Sequence, residues 1–179
     1  MLILASSSPR RKQLLKKVFS DYVVIVPEVD ERILDLRAKD LAAEESKQKA
    51  YAIYSRYPDE EVLACDTIVV LEGQVLGKPR DEEEAKAMLR RQSGKKQIVL
   101  SGYTYIGKGR EITRTVATSV YFNVLSEQLI EDYVARCHPL DKAGAYGIQD
   151  GYPLISRIEG SYDNVMGLPT EDIAAHLKR

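Results

Sequence analysis

A chain of 179 residues with 26 Lys and Arg against 27 Asp and Glu suits one domain, or two small lobes sharing a core, and has interior enough to fold unaided. Its formal charge of −1 gives no global field for nucleic acid or an anionic membrane, so any anion site must be local. Cys65 and Cys137 form neither a CxxC pair nor a His/Cys cluster, and no apolar run nears the ~20 residues that span a bilayer, so a soluble, reduced, cytoplasmic protein is expected, with no nucleic-acid or membrane partner.

In chain order, residues 1–5 read as a short buried strand. Ser8 then supplies an N-cap hydroxyl and Pro9 a first-turn proline for a helix that places Leu14, Leu15 and Val18 on one face. The first turn of a helix favours acids, because its free N–H groups and dipole make that end positive, yet this one carries Arg10 and Arg11. A bound anion would remove the conflict, with the Ser6 and Ser8 hydroxyls, backbone N–H groups and two guanidiniums donating to phosphate oxygens. The bland alternative is a solvated basic helix start that tolerates ~0.3–1 kcal/mol per misplaced charge.

Tyr22–Val26 reads as a buried strand that ends at Pro27 and delivers Asp30 and Glu31 to a loop. Asp40 can cap a helix to about Tyr54, with Leu41, Glu45, Gln48 and Lys49 spaced by turns. Glu61–Leu71 is the most apolar strand, with Asp66 at its middle, and Glu72-Gly73 turns it back so that Lys78 returns near the level of Asp66. A helix capped by Asp81, with Glu84 three residues on, ends at Arg90, Arg91 and Gly94 and obeys the dipole rule at both ends. Gln97–Ile106 and Glu111–Val124 make a long hairpin around Gly107-Lys-Gly, and Ser126 caps a helix to about Arg136. His138–Pro169, rich in glycine, holds at most a strand near Tyr152–Ile158 before a closing helix at Thr170–Leu177. Alternating strands and helices with an inserted hairpin predict an α/β fold with a mixed sheet.

The chemistry-bearing candidates are few. His138 and His176 are too few for a zinc site, and neither a G-x-S-x-G elbow, a Walker loop nor a G-x-G-x-x-G fingerprint is present. A carboxylate inside Val62–Leu71 must be compensated, because desolvating an unpaired charge costs several kcal/mol. Asp66 is therefore either a structural acid held by Thr67 and a lysine, or a functional one that binds a divalent metal or polarises water with Glu31 and Asp30 as further oxygen ligands. Lys49, Lys78 and Lys142 are ordinary singly. Together with Arg10 and Arg11 they would neutralise a polyphosphate, which points to phosphoryl or nucleotidyl chemistry without choosing the bond.

Leu4-Ala-Ser-Ser-Ser-Pro-Arg-Arg11, Asp30-Glu31, Lys49-Ala50, Asp66-Thr67, Gly77-Lys-Pro79, Asp141–Gln149 and Gly160–Pro169 occur in an order that resembles the Maf family of nucleoside triphosphate pyrophosphatases. The resemblance implies one domain over 1–179, an elongated mixed sheet with flanking helices, and two lobes around a deep cleft similar to inosine triphosphate pyrophosphatases, often as a homodimer. It implies hydrolysis of a nucleoside triphosphate to the monophosphate and pyrophosphate with Mg²⁺ or Mn²⁺. The Lys-Ala-Gly-Ala-Tyr-x-Ile-Gln form looks like the branch acting on dTTP and UTP. By that comparison Asp66 is the proton acceptor and a metal ligand with Glu31, and Lys78 joins them in catalysis. Arg10, Thr67 and Gln149 would sit where base preference is set, and Ser6, Arg11, Glu31, Lys49 and Lys78 would complete the phosphate and metal site, which Ser8 and Lys142, read from the residues themselves, join as substrate-binding candidates. Cys137-His138 stands where many relatives have Gly-Glu, and Asp150 where they have glycine, which leaves open an acidic contribution from the loop before Lys142. Two rival functions remain: a nucleotide-binding regulator of cell division without turnover, and the same reaction on non-standard purine triphosphates.

Overall fold

The most apolar run of the chain becomes the spine of its sheet. In the computed structural model, which describes residues 1–29 and 37–178, the strands are β1 (Leu2–Ala5), β2 (Val23–Ile25), β3 (Glu61–Leu71), β4 (Gln74–Leu76), β5 (Lys96–Gly107), β6 (Arg110–Phe122) and β7 (Ile155–Glu159). They form one sheet in the order β2-β1-β3-β5-β6-β7, with β4 paired to β3. β1 runs parallel to both its neighbours, and the remaining pairs are antiparallel. The helices are α1 (Pro9–Leu15), α2 (Ala38–Tyr54), α3 (Glu82–Gln92), α4 (Glu127–Cys137), α5 (Tyr162–Met166) and α6 (Thr170–Leu177). None is long and apolar enough to cross a membrane among the described residues.

Two strands share one edge of β3, and the space between them makes the cleft. β1 covers Glu61–Ala64 and β4 covers Val69–Leu71, so neither ladder reaches Cys65–Ile68 on that side. On the opposite edge β5 pairs without a break from Val62 to Val70 and holds the two halves together. Each half has its own interior. On the β1 side, Leu4, Leu15, Leu63 and Tyr103 pack with Leu168 and Ile173 on one face, while Ile3, Val62 and Ala64 pack with Ala50 and Ile53 of α2 on the other. Beyond the gap, Val69, Leu71 and Val99 pack against Ala85 and Leu89 of α3 and Ile130 and Tyr133 of α4. These are the two expected lobes, joined by β3, β5 and β6.

The helix ends follow their sequences. The Ser8, Asp81, Ser126 and Ser161 side chains accept from the backbone N–H three residues on and cap α1, α3, α4 and α5. The expected cap of α2 differs: the helix begins at Ala38 after Arg37 with no side-chain cap, and Asp40 lies inside the first turn. The strand expected at Tyr22–Val26 is shorter and is an edge strand, with Val23 exposed and Ile25 half-buried rather than enclosed. Within His138–Pro169 the structure adds α5 to the expected strand. Its five residues are too few for a helical hydrophobic pattern, and it ends at Gly167, whose φ of 118° only glycine adopts comfortably. Both cysteines are free thiols.

Candidate active site

The gap in the β3 ladder opens into a cavity of about 870 Å³ that passes from α2 on one face of the sheet to α1 and α5 on the other. Consecutive strand residues point to opposite faces, so Asp66 faces α2 while Thr67 faces α1 and α5, and both line the cavity. α2 can lie close over Asp66 because the residue paired with it on β5 is Gly102. A Cβ there would stand 2.3 Å from the Ala42 carbonyl carbon. One and two turns along the helix from Leu41, Glu45 and Lys49 then come down on the β3 carboxylate.

The Lys49 ammonium donates to Asp66 Oδ1 in an ion pair whose side chains are 16% and 13% exposed. Glu45 forms a hydrogen bond with the same carboxyl. Burial pushes Asp66 up, but the Glu45 hydrogen bond, the Lys49 charge and the Arg11 charge outweigh it and hold the carboxyl below its ordinary range. Asp66 is therefore ionised at neutral pH although it is largely enclosed.

On the other face, Arg11 Nε donates to the Gly167 carbonyl at 2.7 Å and Nη2 to Thr67 Oγ1 at 3.1 Å, which aims the guanidinium along the cavity wall. Thr67 Oγ1 lies 2.8 Å from Ser101 Oγ. Arg10 Nη1 lies 3.3 Å from Asp141 Oδ2, and Lys142 Nζ 3.2 Å from Asp141 Oδ1. The misplaced positive charges at the start of α1 thus have protein partners of their own, a carbonyl for Arg11 and a carboxylate for Arg10.

The far wall is carried by Lys78, which makes no ion pair with any described residue, and by the segment from Lys142 to Gln149. Gly144 N donates to the Gly77 carbonyl at 3.1 Å, tying that segment to the β4 hairpin and to Lys78. Beneath it, Gln92 Nε2 donates to the Gly144 carbonyl at 2.7 Å and Tyr146 OH to Gln97 Oε1 at 3.0 Å, while Gln97 donates to Gln92. The phenol of Tyr133 receives a bond from Gly147 N at 2.9 Å and donates to Asp150 Oδ2 at 2.7 Å. Asp150 thereby braces the turn that carries Gln149.

Of the residues singled out in the sequence, Ser8, Arg10, Arg11, Lys49, Asp66, Thr67, Lys78, Lys142 and Gln149 all line this one cavity. Ser6 does not: it is buried, and its Oγ accepts from Ser8 N at 3.1 Å, which shapes the loop beneath the site. The Ser8 hydroxyl reaches the cavity, its oxygen accepting from Arg11 N in capping α1 while its O–H keeps its capacity to donate. Asp30 and Glu31 lie outside the described residues. Sequence reasoning missed Ser7, Glu45 and Asp141 as lining groups. For Glu45 a signal existed, since it precedes Lys49 by one helical turn. Asp141 opens the Asp141–Gln149 motif, but no local spacing pairs it with Arg10, 131 residues away.

The family model described as Maf-like protein matches residues 1–179. The chain is 46% identical to a dTTP/UTP pyrophosphatase of Pyrococcus abyssi, over 99% of this chain and 95% of the relative. It is 48% identical to one of Symbiobacterium thermophilum, over 94% and 88%. Another of Carboxydothermus hydrogenoformans is 43% identical, over 99% and 97%. Among solved structures, the Ham1 protein of Staphylococcus aureus matches with a TM-score of 0.50 at 16% identity, covering 68% of this chain and 71% of that one, a likeness of fold alone. With the motifs in order, a cleft between two lobes and relatives matched along nearly their whole length, the chain belongs to the Maf family.

Proposed function

We propose that the protein hydrolyses dTTP and UTP to the nucleoside monophosphate and pyrophosphate. The observation that carries this reading is the single cavity in which an ionised, largely enclosed Asp66 stands against Lys49 and Glu45 while Arg11, Lys78 and Lys142 occupy the other walls. Both lobes contribute, so residues 1–179 act as one catalytic unit. The substrate class follows the relatives named dTTP/UTP pyrophosphatase.

The donor set suits a hard divalent cation. Mg²⁺ is commonly held by one or two carboxylates plus substrate phosphates, and Asp66 and Glu45 supply two carboxyl groups in contact. Family resemblance adds Glu31, so Asp66, Glu45 and Glu31 would hold the Mg²⁺ or Mn²⁺ ion. When bound, such an ion neutralises phosphate charge and acidifies a water molecule.

In this reading Asp66 accepts the proton of the water that attacks the α-phosphorus, the role for which its ionised state equips it. Lys49 keeps that carboxylate charged and oriented. Arg11, fixed by the Gly167 carbonyl and Thr67, joins Lys78 and Lys142 in stabilising the charge that develops on the departing pyrophosphate, where most of the rate enhancement arises. Gln149 offers a donor and an acceptor to the edge of thymine or uracil, and the family resemblance adds Arg10 and Thr67 as further determinants of base preference.

The test is a panel of dTTP, UTP, the other common triphosphates and inosine and xanthosine triphosphates, incubated with Mg²⁺ and scored for pyrophosphate against orthophosphate. Pyrophosphate with dTMP and UMP is expected. Preference for the purines overturns the base assignment, and saturable binding without product overturns the enzyme in favour of a regulator.

A further inference from the structure

One group lining the cavity has no part in that mechanism and opposes its charge. Asp141 is a carboxylate in a pocket built for a polyanion. It is not buried, its side chain being 65% exposed at the end of the short 3-10 turn Pro139–Asp141. What it does contact is two of the cavity's cations, Arg10 from the start of α1 and Lys142 from the opposite wall, one with each oxygen. It therefore stands toward them as one carboxylate stands for one phosphate. Burial works to raise its pKa, yet Lys142 and Arg10 more than offset that and hold it lowered, so it carries its charge at neutral pH.

We propose that Asp141 is a resident counter-anion, which neutralises Arg10 and Lys142 while the site is empty and must be displaced by the incoming phosphate chain, so that it selects against short anions. A triphosphate has charge and contacts enough to displace it. The products, a monophosphate and pyrophosphate, each offer fewer of both, and Asp141 recaptures its cations as they leave. It acts as a selectivity and release residue for the reaction proposed above, and the inference rests on that reading of the cavity as a polyphosphate site.

Calorimetric titration of inorganic pyrophosphate, dTMP and uncharged thymidine into the wild type, Asp141→Asn, Asp141→Ser and Asp141→Glu tests it. A unit charge several ångströms from a ligand carrying two or three charges in a water-like dielectric changes affinity by about three- to tenfold. Asp141→Asn and Asp141→Ser should therefore bind pyrophosphate and dTMP about three- to tenfold tighter, with thymidine unchanged and Asp141→Glu close to wild type. Unchanged or weaker pyrophosphate binding in both neutral variants overturns the proposal, whatever happens to Tm. Equal tightening for thymidine also overturns it, because a change in loop packing rather than in charge would then be at work. Turnover of dTTP by the wild type, followed in parallel, separates the two levels. No pyrophosphate release removes the pyrophosphatase reading, whereas normal release with unaltered variants removes the counter-anion alone.

Discussion

Replacing Asp66 by Asn keeps the shape of the side chain and removes both its charge and its basicity. The enclosed ion pair with Lys49 is lost, and breaking such a pair deep in a core costs about 3–5 kcal/mol. Here both partners line an open cavity and Glu45 remains one helical turn from the lysine, so a loss of about 1–2 kcal/mol is expected, small enough for the variant to stay folded. The catalytic effect is larger. A positioned general base contributes about 10²–10⁴ in rate, or about 3–5 kcal/mol of transition-state stabilisation. Pyrophosphate release from dTTP with saturating Mg²⁺ should fall by that factor in kcat/KM while circular dichroism and Tm report an intact fold. Activity within about threefold of wild type, in a folded variant, would falsify the assignment of Asp66 as proton acceptor.

The neighbouring interactions give further expectations. Glu45→Gln keeps a hydrogen bond to Asp66 but removes a carboxylate, and should lower kcat about tenfold or more and weaken Mn²⁺ binding measured by electron paramagnetic resonance; wild-type affinity for Mn²⁺ would remove Glu45 from the donor set. Asp163 offers the contrast of a buried acid with no place in the cavity. It is held by Lys17 at 2.7 and 2.9 Å and by Thr170, so Asp163→Asn should cost about 2–3 kcal/mol in a urea titration. Gly102→Ala would force a methyl into the backbone of α2 and should cost more than the ~1–3 kcal/mol of ordinary overpacking, read as a large fall in Tm. Burial raises the Asp172 carboxyl, but Arg114 and Tyr103 outweigh it, so its pKa is lower folded than unfolded. Its stabilisation is thus complete above the unfolded value near ~4 and is lost as pH falls through the lower folded one. Asp172→Asn should therefore flatten the acid limb of the urea midpoint against pH, and an unchanged limb would count against the pairing.

The elements set by local chemistry were legible in the sequence. The Asp81 and Ser126 caps, the Gly107-Lys-Gly turn and the closing helix at Thr170–Leu177 all stand where composition and periodicity place them. What could not be read locally depends on partners distant in the chain. The start of α2 lacks a capping side chain because packing of its Leu41, Ala42 and Ala50 face on the sheet fixes the helix without one. The five-residue α5 is defined by Ser161 at one end and Gly167 at the other, and its Asn164 reaches the β5 and β6 carbonyls of Val99 and Val116, contacts with no sequence period. Likewise Ser6, marked as a phosphate donor by its place before a basic helix, is buried outside the cavity lining, where its oxygen accepts from Ser8 N.

The helix-start conflict that drew attention to Arg10 and Arg11 has a more specific resolution than a generic anion site. α1 spans seven residues, and its two arginines are held by Asp141, Thr67 and the Gly167 carbonyl, all from later in the chain. Their position is thus fixed by partners on β3, the end of α5 and the turn before Lys142, and not by the helix dipole. The same logic governs Asp66 and Thr67. Because β3 alternates faces, the acid meets α2 and the hydroxyl meets Arg11 only in one register, and a slip of a single residue would exchange them. Continuous pairing with β5 from Val62 to Val70 sets that register, and Gly102 in it admits α2 to the distance at which Lys49 and Glu45 reach the carboxylate. The break in pairing on the other edge, between Ala64 and Val69, leaves Asp66, Thr67 and Ile68 lining the cavity. One strand, rigidly paired on one side and released on the other, thereby both orders the acid and exposes it, and a mixed sheet with β1 and β4 sharing an edge is what supplies that asymmetry.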